Sequence, residues 1–181
     1  MTANTLANRG KSLEGALDWM HAQYQAAGHI VERTEPPTRA GTIGARPCRF
    51  SIPGTAGILD YLVITDSVSY RFDAKSTQGK RWPLNLLELE QARNLDAYSG
   101  MRGWAPGLVV QTSVGVWWLP WSERVRARWW GWWATERAAA GLGSLDAAEL
   151  DLLGERCEGY DWLGAAARLW CREVAALKGA S

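Results

Sequence analysis

The chain has 181 residues, 47% of them hydrophobic, and 20 basic against 19 acidic side chains for a net charge of +1. That is enough for one domain with a buried core, here expected over 1–181. It holds no run apolar enough for a membrane span, and its opening lacks a secretory leader's apolar core, so a cytoplasmic protein is expected. Cys48, Cys157 and Cys171 are odd in number and lack CxxC spacing, which excludes a disulfide framework and a zinc site. Bulk charge does not announce nucleic acid. All basic residues except Lys11, Lys75, Lys80 and Lys178 are arginine, however. Arginine suits bidentate phosphate contact, although a GC-rich coding sequence produces the same bias.

Asn8 to Ala27 reads as a helix, with Leu13, Leu17, Met20 and Tyr24 at helical spacing and Gly28 as its stop. Glu14 and Asp18 lie one turn apart on a neighbouring face. Arg9 and Lys11 at the helix start are candidate phosphate contacts, or else an ordinary capped end. His29 to Thr34 is a short strand. Residues 35–53 carry Pro36, Pro37, Pro47 and Pro53 among Arg39, Arg46 and Arg49 with little apolar periodicity. They read either as a basic projection or as a surface loop.

Gly57 to Lys75 is the centre of the chain. An apolar run from Ile58 to Ile64 and an alternating run from Val68 to Asp73 flank a polar turn at Thr65-Asp66-Ser67. The pattern is a β-hairpin. Asp60, Asp73 and Lys75 are set into it. Next come Lys80 and Arg81, two more candidate phosphate contacts, and a helix over Leu84 to Met101. That helix places Gln91 on its apolar stripe, where a buried amide needs partners and can reach the acids. Gly107 to Leu119 reads as a second hairpin. Trp121 to Ala140, Leu145 to Leu153 and Tyr160 to Leu177 read as helices, so 121–181 forms a helical C-terminal part. Asp161 is a candidate cap for the last of them. The chain has 12 tryptophans. They can stack on unpaired bases, but filling a core or an interface is the favoured reading.

An ionised carboxylate in an apolar strand needs a counter-ion or a metal. Asp73 and Lys75 share one strand face, the facing strand can bring Asp60 to them, and Glu14 can join from the first helix. Three carboxylates and the Ala74 carbonyl are hard oxygen ligands suited to Mg²⁺, with Mn²⁺ as a substitute. Such a set serves phosphodiester hydrolysis. Neighbouring acids favour the charged form of Lys75, so its expected part is water positioning and charge stabilisation, with Gln91 holding the same water or Lys75 itself.

These residues also resemble a family. Asn8-Arg9-Gly10-Lys11-Ser12-Leu13-Glu14 is similar to the N-terminal signature of RecU-type Holliday-junction resolvases, of the PD-(D/E)xK nuclease superfamily. Phe72-Asp73-Ala74-Lys75 is similar to their FEAK-type motif. Trp82-Pro83-Leu84 with Glu90-Gln91 resembles the lead into their glutamine-bearing helix, and Leu145 to Leu152 with Tyr160-Asp161-Trp162-Leu163 resembles their C-terminal part. The resemblance implies a restriction-endonuclease-like mixed β-sheet flanked by helices, an α/β fold, with a stalk inserted at 35–53. It implies a homodimer that nicks four-way DNA junctions in pairs during recombination and repair. It carries Glu14, Asp60, Asp73 and Lys75 onto the catalytic positions, with Gln91 in support. Asp73 stands where that pattern usually has Glu, and the stalk itself matches poorly. Three rivals stay open: a nuclease of the same superfamily acting on linear duplex, a branched-DNA-binding protein that never cuts, and a small α/β protein whose Asp60, Asp73 and Lys75 form a structural ion pair.

Overall fold

The computed structural model describes the backbone of residues 3–34, 38–43, 46–51, 59–136 and 143–179, with side chains over 12–34, 59–135 and 143–175. Helix α1 (Ala3–Ala26) starts earlier than its apolar stripe, and Gly28 follows it at φ 95°, a left-handed turn that suits glycine. Strand β1 (Ile30–Arg33) comes next, then β2 (Thr38–Ile43) and β3 (Arg46–Ser51). The expected irregular connection is therefore a two-stranded antiparallel sheet, in register from Thr38 opposite Ser51 to Ile43 opposite Arg46. Its prolines hid the strands from a periodicity reading, because an isolated ribbon needs no buried face. Thr34 N–H donates to the Asp60 carbonyl at 2.7 Å, so the two ends of this insertion meet.

Strands β4 (Tyr61–Ile64) and β5 (Ser69–Ser76) form the expected central hairpin, and Thr65 closes its turn through bonds to Val68. The expected residues Gly57 and Ile58 lie outside the described ones. β6 (Trp82–Pro83) leads into a single 3₁₀ turn (Leu84–Leu86) and helix α2 (Leu89–Ser99). The helix starts later than the stripe from Leu84 suggests. Glu88 and Gln91 form a capping box that fixes the start at Leu89, while Leu84 and Leu87 are buried ahead of it. The second hairpin is β7 (Trp104–Thr112) and β8 (Gly115–Pro120). Helix α3 (Glu123–Gly131) ends in a π-helical turn (Trp132–Glu136), shorter than expected, and the remainder to Ala140 falls outside the described residues. A short β9 (Ser144–Leu145) precedes α4 (Ala147–Leu153), whose cap is Asp146 in a capping box with Glu149. β10 (Glu155–Arg156) and α5 (Trp162–Gly179) close the chain.

The six-stranded sheet runs β1-β4-β5-β7-β8-β10. β5 and β7 are parallel and the other neighbours antiparallel. This is the expected mixed α/β sheet flanked by helices. Period-two alternation sorts its side chains onto two faces. Val63, Phe72, Val109 and Trp118 pack with Leu13, Leu17 and Trp162 from α1 and α5. Leu108, Val110, Trp117 and Leu119 pack with Ala92 and Leu95 of α2 and Val125 and Trp129 of α3. Tryptophans 82, 117, 118, 121, 129, 132 and 162 are buried, so most of the described ones build these cores, while Trp19 and Trp170 are exposed.

Candidate active site

β5 lies between strands and under helices on both faces, which is why Phe72 and Asp73 are both fully buried although they point in opposite directions. β4 begins only at Tyr61, opposite Phe72. Beyond Phe72, β5 therefore loses its antiparallel neighbour, and the edge of Asp73-Ala74-Lys75 opens. Asp60, in the bend just before β4, fills part of the gap: its Oδ2 accepts the Ala74 N–H at 3.0 Å. An extended residue directs its N–H and C=O to the same edge, so the Ala74 carbonyl faces Asp60 as well.

Asp73 is 0% exposed. Its Oδ1 accepts from Gln91 Nε2 at 3.1 Å. Gln91 Oε1 in turn accepts the Glu88 N–H at 3.1 Å, so the capping box orients the amide and presents its NH₂ to Asp73. Asp73 Oδ2 lies 2.6 Å from Lys75 Nζ, yet no donor is aligned with it as a hydrogen bond. Burial pushes the Asp73 carboxyl above the usual carboxylate range; Lys75 pulls it back down, and the negative charge of Asp60 pushes it up again. The arrangement is a buried carboxyl group paired with one ammonium, beside a second acid and the Ala74 carbonyl, so the acids outnumber the cation. That donor set fits a hard divalent cation.

The structure brings Asp60, Asp73, Lys75 and Gln91 together as expected. Glu14 is placed differently: its Oε2 lies 2.6 Å from Arg33 Nη2, while Arg33 Nη1 reaches Asp18 at 3.3 Å. Among the described residues, no three His, Cys, Asp or Glu side chains come close enough together to hold a metal. Arg33 escaped sequence reading because nothing in the spacing from Glu14 announces it; β1 brings it opposite Tyr61. Arg81 is held by Ser144, Asp146 and Glu149, clamping β6–β9 to the start of α4. Lys80 is exposed. The side chains of Arg9 and Lys11 fall outside the described ones.

No protein-family model matches the chain, and no curated protein matches it either. Among solved structures it is similar to Hjc, a Holliday junction resolvase from the archaeal hyperthermophile Archaeoglobus fulgidus, at 11% identity over 77% of this chain and 92% of that one, with a TM-score of 0.45. A likeness of that size fixes neither family nor activity, and the functional reading rests on this chain's own residues.

Proposed function

We propose that the chain is a metal-dependent endodeoxyribonuclease of the PD-(D/E)xK type that resolves four-way DNA junctions as a homodimer. The observation that carries this reading is the fully buried Asp73, held by Gln91 and Lys75 where β5 loses its neighbour and Asp60 closes the gap. A purely structural ion pair gains nothing from a second carboxylate beside it. A reaction centre needs that excess of negative charge.

Asp60, Asp73 and the Ala74 carbonyl would hold Mg²⁺ or Mn²⁺, and Glu14 would join them by exchanging Arg33. When bound, such a cation would supply charge neutralisation at a phosphate oxygen and a lowered pKa for water. The protein's own part follows from the geometry. Asp73 fixes the Lys75 ammonium in place; the ammonium orients the attacking water and stabilises charge on the phosphate. Gln91 keeps the Asp73 carboxylate in one rotamer through a helix-start bond that folding has already made. Arg9, Lys11, Lys80 and Arg81 are proposed phosphate contacts; for Arg81 this means leaving its acidic partners. The insertion at 35–53 would enter the junction centre, and two-fold symmetry would relate two such sites for paired cuts.

The test is cleavage of an end-labelled four-way junction with Mg²⁺, beside EDTA, an Asp73→Asn variant and a linear duplex of the same sequence. Paired nicks on the junction alone, requiring both Mg²⁺ and Asp73, are expected. Equal cutting of the duplex would reassign the substrate. Binding without cutting in Mg²⁺ and Mn²⁺ alike would sink the nuclease reading.

A further inference from the structure

The end of the sheet just past Lys75 carries a line of polar groups that the reaction chemistry above does not use. Ser76 follows Lys75 on β5 and lies opposite Gln111 of β7 in the parallel register. The Ser76 hydroxyl donates to Gln111 Oε1 at 3.1 Å, and Gln111 Nε2 donates to the Tyr160 hydroxyl oxygen at 3.0 Å. The Gln111 carbonyl accepts the Thr77 N–H at 2.9 Å, and the Gly79 carbonyl accepts the Ser113 N–H at 3.0 Å. The loop that carries exposed Lys80 is therefore tied to the same end of β7. Within that loop the Thr77 hydroxyl oxygen accepts the Gly79 N–H at 3.2 Å.

The direction of these bonds leaves two donors over. Tyr24 and Thr65 show hydroxyls used both ways: Tyr24 donates to Asp161 and accepts the Leu163 N–H, and Thr65 donates to the Val68 carbonyl and accepts the Val68 N–H. Tyr160 and Thr77 only accept. Among the described residues no acceptor takes either proton, and both residues are half-buried, so each proton is left for solvent or a ligand. The acids that flank Tyr160 in the chain are engaged elsewhere, Glu158 with Arg168 at 3.3 Å and Asp161 with Tyr24 and the Gly164 N–H. Two hydroxyl donors and an ammonium at one strand end suit a phosphate oxyanion, since a hydrogen bond to an ionised acceptor is roughly twice as strong as one between neutral groups.

We propose that the Tyr160 and Thr77 hydroxyls, at the same sheet end as Lys80, donate to the phosphate backbone of bound DNA. The inference rests on the reading of the chain as a DNA nuclease and adds two uncharged contacts to it. Such contacts fix the register of the nucleic acid and carry no sequence information. They also release no counter-ions, so they leave the salt dependence of binding alone, whereas a lysine contact does not.

Fluorescence anisotropy with a labelled four-way junction in EDTA tests this over a range of salt concentrations, in wild type, Tyr160→Phe, Thr77→Val and Lys80→Ala. Each hydroxyl variant is expected to weaken binding about tenfold at every salt concentration, the scale of one hydrogen bond to a charged group. The salt slope stays at the wild-type value, and the loss is equal on a second junction of different sequence. Lys80→Ala lowers the slope by about 0.9. Two separate hydroxyls keep the test decisive should one variant fail to fold. Wild-type affinity in either folded hydroxyl variant would overturn the proposal, as would a loss confined to one junction sequence. A lower salt slope in Tyr160→Phe or Thr77→Val would overturn it too, by showing that the substitution acts through a displaced Lys80. Wild type that binds neither the junction nor a linear duplex would remove the nuclease reading itself, while wild-type binding with unaffected hydroxyl variants would remove these two contacts alone.

Discussion

Asp73 and His21 show how burial sets opposite demands on an acid and a base. Asp73 gains a carboxyl that holds its proton more tightly folded than unfolded, through burial first and Asp60 second. Between the two values the native state binds more protons, so this group stabilises at low pH and its contribution is lost as pH rises. Asp73→Asn removes that cost. It is expected to melt at or above the wild-type temperature at pH 8 while cleavage falls at least about a hundredfold, the scale expected when a principal electrostatic group is removed. A structural ion pair predicts the reverse: Asp73→Asn strands Lys75 and lowers the melting temperature. His21 runs the other way. Its ring is enclosed by Tyr61, Phe72 and Trp162, and its Nε2 accepts from Trp162 Nε1 at 3.1 Å. Burial pushes its pKa down from 6.5 to about 4. The unfolded chain takes up the proton first, so stability is complete above about pH 6.5 and falls as pH drops toward 4, by on the order of 3 kcal/mol. Urea midpoints from pH 4 to 8 should show that acid-side loss, and His21→Leu should flatten it.

The pairing of α1 with α5 depends on a cap that serves two helices. Asp161 Oδ1 accepts the Gly164 N–H at 3.0 Å and the Tyr24 hydroxyl at 2.8 Å, and the same Tyr24 oxygen accepts the Leu163 N–H at 3.1 Å. Asp161→Ala removes a helix cap, about 1 kcal/mol, and leaves a buried phenol short of its acceptor, about 1–3 kcal/mol more. A loss of about 2–4 kcal/mol in urea unfolding is expected, with Asp161→Asn recovering most of it; a loss no larger than a single cap would mean the Tyr24 bond is idle. The cap was legible in the sequence because a polar residue before an apolar helical run has few other uses. The central hairpin was legible for a similar reason: its alternation leaves one register only. The start of α2 was misread, since Leu84 and Leu87 continue the helical stripe as buried side chains of a turn. The Arg33 partner of Glu14 was not legible, for a physical reason too. A helix can place a carboxylate near a strand end, but which cation takes it depends on β1, and no local pattern couples Arg33 to a residue on α1.

At the scale of the whole molecule, a chain of net charge +1 offers little long-range attraction to DNA, so the proposed junction binding would have to come from local basic clusters. The insertion between β1 and β4 is the strongest candidate. It carries Arg39, Arg46 and Arg49 on a two-stranded ribbon that pairs with itself and not with the main sheet. Six extended residues span about 20 Å. Its ends are already joined by the Thr34–Asp60 bond and by the β1–β4 register that begins at Arg33 and Tyr61. Replacing 36–57 with a short Gly-Ser turn should therefore leave the main sheet folded and its melting temperature within a few degrees of wild type. Removing phosphate contacts lowers the salt slope of binding by about 0.9 for each on duplex arms, so the loss of these three arginines is expected to flatten it by up to about 3. The Asp60–Asp73–Lys75 cluster stays in place, and under the proposed function the expected outcome is a variant that still cuts but no longer prefers the junction to a linear duplex of the same sequence. A variant with unchanged preference would move the proposed junction recognition off the ribbon and onto the other proposed phosphate contacts, Arg9, Lys11 and Lys80.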